Sequence, residues 1–109
     1  MATKDELKRG EEIVNDVTER ITLKSLRVGC DRVNYHILQK LPTNVKDLMK
    51  TFDLSKMPMN KRLNELEEIG LLKRDRYTGN IDKTDLTESF INLIEKLKED
   101  IIKELPKLI

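Results

Sequence analysis

Apolar positions in this chain recur at helical spacing in five segments, and a single stretch breaks the rhythm. From Asp5 to about Arg27, Leu7, Val14, Val17 and Ile21 fall at heptad-like intervals with Ile13 beside them, which predicts a long amphipathic helix. Gly10 inside that segment costs about 1 kcal/mol relative to alanine. Val28-Gly29-Cys30-Asp31 interrupts the pattern. A second helix is expected from Asp31 to Leu41, carrying Val33, Tyr35, Ile37, Leu38 and Leu41, with Pro42 ending it. Thr43 or Asn44 then caps a third helix through Phe52, with Val45, Leu48, Met49 and Phe52 on its apolar side. Asp53-Leu54 makes a tight corner before the next element.

The segment Ser55 to Leu72, SKMPMNKRLNELEEIGLL, carries the most information. Ser55 suits an N-cap, and Pro58 falls in the first turn, where a missing N–H costs little. Met59, Leu63, Leu66 and Ile69 make one apolar stripe, and Gly70 suits the positive φ of a helix end. Charge is split along this helix. Lys56, Lys61 and Arg62 lie toward its start, and Glu65, Glu67 and Glu68 toward its end. The glutamates oppose the helix dipole, so helix stability does not explain them. A helix that docks its leading end against phosphates has this polarity; an ordinary solvated face is the plainer reading.

After Gly70 the period changes. Leu71 to Arg76 reads as a short strand, Tyr77-Thr78-Gly79-Asn80 as a turn, and Ile81 to Leu86 as a returning strand, giving a charged hairpin. Thr87 then caps a final helix to about Leu105, before Pro106, roughly 28 Å long. Phe90, Ile94, Leu97, Ile101 and Leu105 form one seam along it, widened by Ile91, Leu93 and Ile102.

Composition narrows the possibilities. A chain of 109 residues fits one domain with an extra helix or two, and with 4% aromatics its core depends on Leu, Ile, Val and Met. No run reaches the roughly 18 apolar residues of a membrane span, and the first residues lack the apolar stretch of a secretory signal. One cysteine forms no internal disulfide, so a reducing, cytoplasmic location is expected. The net charge is only +1, but its distribution is uneven. Residues 43–64 carry five positive charges against two negative, and residues 73–83 carry four against two. Positive charge therefore gathers at one helix start and one hairpin.

Helix, tight turn, helix, hairpin and helix is the order of a winged helix-turn-helix. The phrases Leu48-Met49-Lys50-Thr51-Phe52-Asp53-Leu54-Ser55, Leu63-Asn64-Glu65-Leu66-Glu67-Glu68-Ile69-Gly70-Leu71-Leu72 and Asp85-Leu86-Thr87-Glu88 resemble the MarR and ArsR-type transcriptional regulators over residues 31–90. The chain departs from the family pattern where Met49 replaces the usual alanine and Asp53 the usual glycine, where Pro58 enters the recognition helix, and in a short wing whose Arg74 and Arg76 alternate with Asp75. Asp tolerates positive φ, so the turn survives. The resemblance implies a mainly α fold with a small β-hairpin and long N- and C-terminal helices. It implies that Ser55, Lys56, Met57, Asn60, Lys61 and Asn64 face the major groove of double-stranded DNA, with Asn60 bidentate to adenine. Arg62, Arg74 and Arg76 are then expected at phosphates.

The two terminal helices carry more apolar surface than such a reader needs. The family arrangement implies a homodimer, with Val14, Val17, Ile21, Phe90, Ile94, Leu97, Ile101 and Leu105 at its interface and two recognition helices roughly 34 Å apart. Otherwise the two helices pack on each other within one chain. The expected division is residues 1–29 for dimerisation, 30–86 for DNA reading and 87–109 for dimerisation again. The overall expectation is a sequence-specific homodimeric regulator; the alternative is a winged-helix module that binds protein in a transcription or processing complex. Cys30 and His36 match no metal spacing and are read as a buried thiol and an ordinary helix histidine. A single histidine supports no Ser-His-Asp or Cys-His pair, and four scattered glycines make no phosphate loop. The chain is therefore read as non-enzymatic and without a cofactor.

Overall fold

Two helices of unequal fate frame the molecule. The computed structural model describes residues 3–108, so residues 1–2 and 109, the outer ends of the two expected dimerisation segments, lie outside it. The first helix, α1, runs from Lys4 to Gly29 and opens on a capping box. Glu6 N donates to Thr3 Oγ1 at 3.2 Å, and Thr3 N donates to Glu6 Oε2 at 3.3 Å. Residues 3–24 are all exposed, including Val14, Val17 and Ile21. Only the last turns, from Ser25 to Gly29, reach the body of the protein.

That body begins with α2, Arg32–Lys40, whose N-cap Asp31 accepts from Asn34 N at 3.0 Å. It ends before Pro42 because the residue preceding a proline is pushed out of the helical region, and Leu41 is extended at ψ 139°. Asn44 then caps α3, Val45–Phe52, accepting from Asp47 N at 2.9 Å. Asp53 takes the left-handed conformation at φ 51°, and Leu54 N closes back on Met49 O at 3.1 Å. The fourth helix, α4, spans Lys56–Glu68 with Ser55 at the N-cap position. It ends in a Schellman motif. Gly70 at φ 81° lets its own N–H reach Glu67 O at 3.0 Å and the Leu71 N–H reach Leu66 O at 2.9 Å.

The expected hairpin is one side of a three-stranded antiparallel sheet. Thr43–Asn44 forms β1, Lys73–Arg74 β2 and Asn80–Asp82 β3, in the order β1-β3-β2. Thr43 pairs with Ile81, and Arg74 pairs with Ile81 from the other side. The strands are shorter than the apolar pattern suggests because Ile81 is the only buried residue in them. The last helix, α5, spans Asp85–Leu108. It starts two residues before the expected cap because Thr84 and Thr87 cap each other. Thr87 N donates to Thr84 Oγ1 at 3.2 Å and Thr84 N to Thr87 Oγ1 at 2.8 Å. Both hydroxyls then donate onward, Thr84 to Gly70 O and Thr87 to Leu71 O, each at 2.6 Å. Thr87 is thus a buried rivet between α5 and the end of α4. Pro106 lies inside α5 rather than beyond it. In an exposed last turn the missing N–H costs one solvent-accessible bond.

The core gathers Ile37, Leu38, Leu41, Leu48, Met59, Leu63, Leu66, Leu71, Leu72, Ile81 and Phe90. Met59, Leu63 and Leu66, the stripe expected to face inward, are fully buried. Phe90, expected on the outer seam, belongs to this core instead. It packs edge-on to Tyr35 at 6.3 Å and lies so close to Gly29 that a Cβ there would stand 2.6 Å from Phe90 Cζ. Ile94 is half-buried against the same cluster. Beyond it α5 is exposed from Lys96 to Leu108. The terminal helices therefore do not cover each other. The radius of gyration, 18.0 Å, exceeds the about 13 Å of a globular chain of this length. Cys30, expected as a buried thiol, is exposed because it occupies the C-cap of α1 at the corner toward α2.

Candidate nucleic-acid interface

With Met59, Leu63 and Leu66 buried, helical geometry divides the rest of α4 into an outer stripe and two flanks. Met57, Lys61, Asn64 and Glu68 lie on the outer stripe, all exposed, and Lys56 stands beside them in the first turn. Met57 is 84% exposed, which is far outside any packing role within this chain. Ser55 adopts the N-cap conformation but its side chain makes no capping bond. The leading end of α4 therefore presents a hydroxyl, two ammonium groups and one apolar side chain. The helix dipole adds partial positive charge at the same end.

One flank faces the wing, the β2–β3 hairpin with its turn. Arg74 Nη1 donates to Asn64 Oδ1 at 3.2 Å, and Arg74 Nη2 donates to Asn60 Oδ1 at 3.3 Å. One turn further, Arg76 pairs with Glu67 at 3.0 Å. The hairpin turn is built by Asp75, whose Oδ1 accepts from Tyr77 N at 2.8 Å and Thr78 N at 3.3 Å. Those bonds hold the Asp75 carboxyl below its usual pKa. Gly79 at φ 77° completes the turn, and Tyr77 stands fully exposed at its tip.

The other flank faces α1 and α2. Arg62 Nη1 donates to Asp31 Oδ1 at 2.7 Å and to Asn34 Oδ1 at 3.1 Å. Asn34 is buried, and its amide donates to Val28 O at 3.0 Å. A chain of polar contacts thus runs from the end of α1 through Asn34 to α4. The Asp31 pKa is lowered chiefly by its hydrogen bond from the Asn34 N–H, with the Arg62 charge assisting against partial desolvation. Lys24 of α1 reaches Glu68 at 3.7 Å. Two of the three glutamates that oppose the dipole are accounted for here. Glu67 and Glu68 tie the trailing end of α4 to the wing and to α1.

Of the residues that the resemblance assigns to the major groove, Ser55, Lys56, Met57, Lys61 and Asn64 are exposed. Asn60 is half-buried, with its oxygen held by Arg74, so the free protein does not present it for a bidentate adenine contact. The three arginines expected at phosphates are turned onto the protein itself: Arg62 to Asp31 and Asn34, Arg74 to the two asparagines, and Arg76 to Glu67. Their periodicity gave no sign of these partners, because each bond joins two different elements and only tertiary packing brings them together. Asp31 and Asn34, which orient Arg62, were missed for the same reason. Among the described residues, no His, Cys, Asp and Glu side chains gather into a group suited to a metal ion. None of the described helices is long and apolar enough to cross a membrane.

The fold is similar to that of a transcriptional regulator from Thermotoga maritima. The two match with a TM-score of 0.61 at 20% sequence identity, over 90% of this chain and 78% of that one. No protein-family model matches the chain, and no curated protein matches it. The likeness, with the element order and the three-stranded sheet, establishes a mainly helical winged helix-turn-helix with long terminal helices.

Proposed function

We propose that the chain is a DNA-binding transcriptional regulator of the MarR/ArsR-like kind, acting as a homodimer with α4 in the major groove. The observation that carries this reading is the leading end of α4, where Lys56, Met57 and Lys61 project from a helix whose opposite side is locked into the core. Among the described residues, none covers that edge. Its two ammonium groups suit phosphate oxygens or guanine, and Met57 suits a thymine methyl group. The fold likeness to a transcriptional regulator supports the same conclusion.

The homodimer is supported by the two arms. Val14, Val17 and Ile21 on α1 and Leu97, Ile101 and Leu105 on α5 are between 42% and 63% exposed. Apolar stripes of that extent on a free monomer favour association. In this division of labour the exposed arms within residues 1–29 and 87–109 join two copies, and residues 30–86, with the ends of α1 and α5 packed on them, read DNA. The pairing of Arg62, Arg74 and Arg76 within the chain favours a second reading, a winged-helix module that binds protein. A gel-shift on the duplex upstream of the protein's own gene separates the two. The regulator retards it at submicromolar concentration in competition with unrelated DNA; the protein-binding module gives weak, sequence-indifferent association.

A further inference from the structure

The exposed run of α1, residues 4–24, is roughly 31 Å long and continues without a break into the turns from Ser25 to Gly29 that meet the body. Its direction is therefore set at those turns. A swing of about 10° there carries the far end by about 5 Å, more than the roughly 3.4 Å of one base-pair step.

Two attachments hold the joint. One is apolar: Gly29 lies against Phe90 and Leu71. Apolar contact is non-directional, so it fixes where α1 pivots better than which way α1 points. The other is a polar network onto α4. Asn34 Nδ2 donates to Val28 O at 3.0 Å, a carbonyl in the last turn of α1, where helical partners run out. Asn34 Oδ1 accepts from Arg62 Nη1 at 3.1 Å, and the same nitrogen donates to Asp31 Oδ1 at 2.7 Å. Asp31 Oδ1 also accepts from Asn34 N at 3.0 Å, which closes the network. Hydrogen bonds weaken steeply away from linearity, so these bonds restrain an angle. The second bridge between α1 and α4, Lys24 to Glu68, spans 3.7 Å between exposed side chains and imposes no such direction.

We propose that Arg62 is a positioning residue: by bonding Asp31 and Asn34 it fixes the angle between α4 and the α1 arm, and so selects the half-site spacing that a homodimer reads. The proposal rests on the DNA-binding, homodimeric reading above and adds how the arms keep two readers in register. The Arg62 and Asp31 side chains are 31% and 44% exposed, so their pairing contributes little to stability and its loss leaves the body folded. In this role the Arg62 charge neutralises no phosphate.

The test has two parts. In the first, Glu12→Cys on the arm and Lys50→Cys on α3, both exposed positions, carry spin labels in a chain with Cys30→Ser. The labelled chain is diluted into unlabelled chain, so that distances within one copy are read. The wild-type Arg62 is expected to give a narrow distance distribution and Arg62→Met a broad one. Arg62→Lys, which keeps donors for both oxygens, is expected to stay close to the wild type. In the second part, selection from a randomised duplex pool supplies the half-site, and affinity is measured against a series of spacers. The wild type is expected to favour one spacing and to lose about tenfold on either side of it, whereas Arg62→Met loses less than about threefold. On a single half-site the two bind alike, with the same salt slope.

Distances as narrow in Arg62→Met as in the wild type overturn the proposal, and so does a spacing preference that survives in that variant. A single-site salt slope lowered by about one in Arg62→Met assigns Arg62 to a phosphate instead. Failure of the wild type to select any sequence removes the DNA-binding reading and the spacing role with it. The label distances still decide whether Arg62 holds the arm, so the two failures are told apart.

Discussion

The body of the protein and its two arms meet the same problem, where to put apolar side chains, in opposite ways. In the body, eleven apolar residues from four helices, one strand, the residue after α2 and the turn after α4 close on one another and leave less than 7% of each exposed. In the arms the apolar positions are as regular, yet Val14, Val17, Leu97 and Ile101 face solvent. The difference teaches that periodicity reports a face but not what covers it. The α5 seam shows this within one helix. Phe90 starts it in the core, Ile94 is half-buried, and Leu97, Ile101 and Leu105 continue it beyond the edge of the body. A body with its apolar residues closed and arms with theirs open accord with the proposed homodimeric regulator.

The sharpest break between the regions is expected from Leu97→Glu combined with Ile101→Glu. Charges on the arm abolish self-association in sedimentation experiments while leaving the melting of the body unchanged. Loss of the second half-site then lowers affinity for a two-site duplex by about a hundredfold or more. A wild-type chain that is monomeric at micromolar concentration contradicts the account of the arms. In the body the reverse holds. Leu63→Ala removes a fully buried side chain and is expected to cost about 2–5 kcal/mol in denaturant unfolding, with the association state of the folded fraction unaltered.

Gly29 marks the joint between arm and body, so a substitution there has an intermediate effect. A methyl group on Gly29 meets the Phe90 ring at 2.6 Å and Leu71 Cδ1 at 3.0 Å. Gly29→Ala is therefore expected to cost about 1–3 kcal/mol despite the better helix propensity of alanine. An increase in thermal stability would show that α1 can move off the body freely. The smallest effect concerns pH. Asp31 has a lowered pKa in the folded state, so its contribution is present above its unfolded value and is lost as pH falls through the lower, folded one. Asp31→Asn keeps a capping side chain but removes the charge facing Arg62. The variant is expected to be slightly less stable than wild type at neutral pH, and the gap to close below about pH 4 in acid titrations followed by circular dichroism.

Much of the fold was legible because local rules and tertiary packing agree. The stripe Met59, Leu63 and Leu66, the glycine stop at Gly70 and the left-handed corner at Asp53 each follow from a residue type and its spacing. The third strand was not legible. Two residues, Thr43 and Asn44, carry no period, and only pairing with β3 makes them a strand. The start of α5 shifted because Thr84, not Thr87, supplies the cap, and the two form a reciprocal pair that either could head. In the candidate interface, exposure of Lys56, Met57 and Lys61 could be read from their phase relative to the core stripe. The partners of Arg62, Arg74 and Arg76 could not, since an arginine at a given phase serves an aspartate of its own chain as well as a phosphate.

The claim on which the functional account depends is that the cationic leading end of α4 lies against a nucleic-acid duplex. It is tested most directly by the slope of log affinity against log salt, for the wild-type chain and for Lys61→Ala, on the duplex upstream of its own gene. The account predicts a steep slope for the wild type and a loss of about one unit on removing the Lys61 ammonium, with the fold intact. A flat wild-type slope, or a Lys61→Ala variant that binds like wild type at every salt concentration, contradicts it.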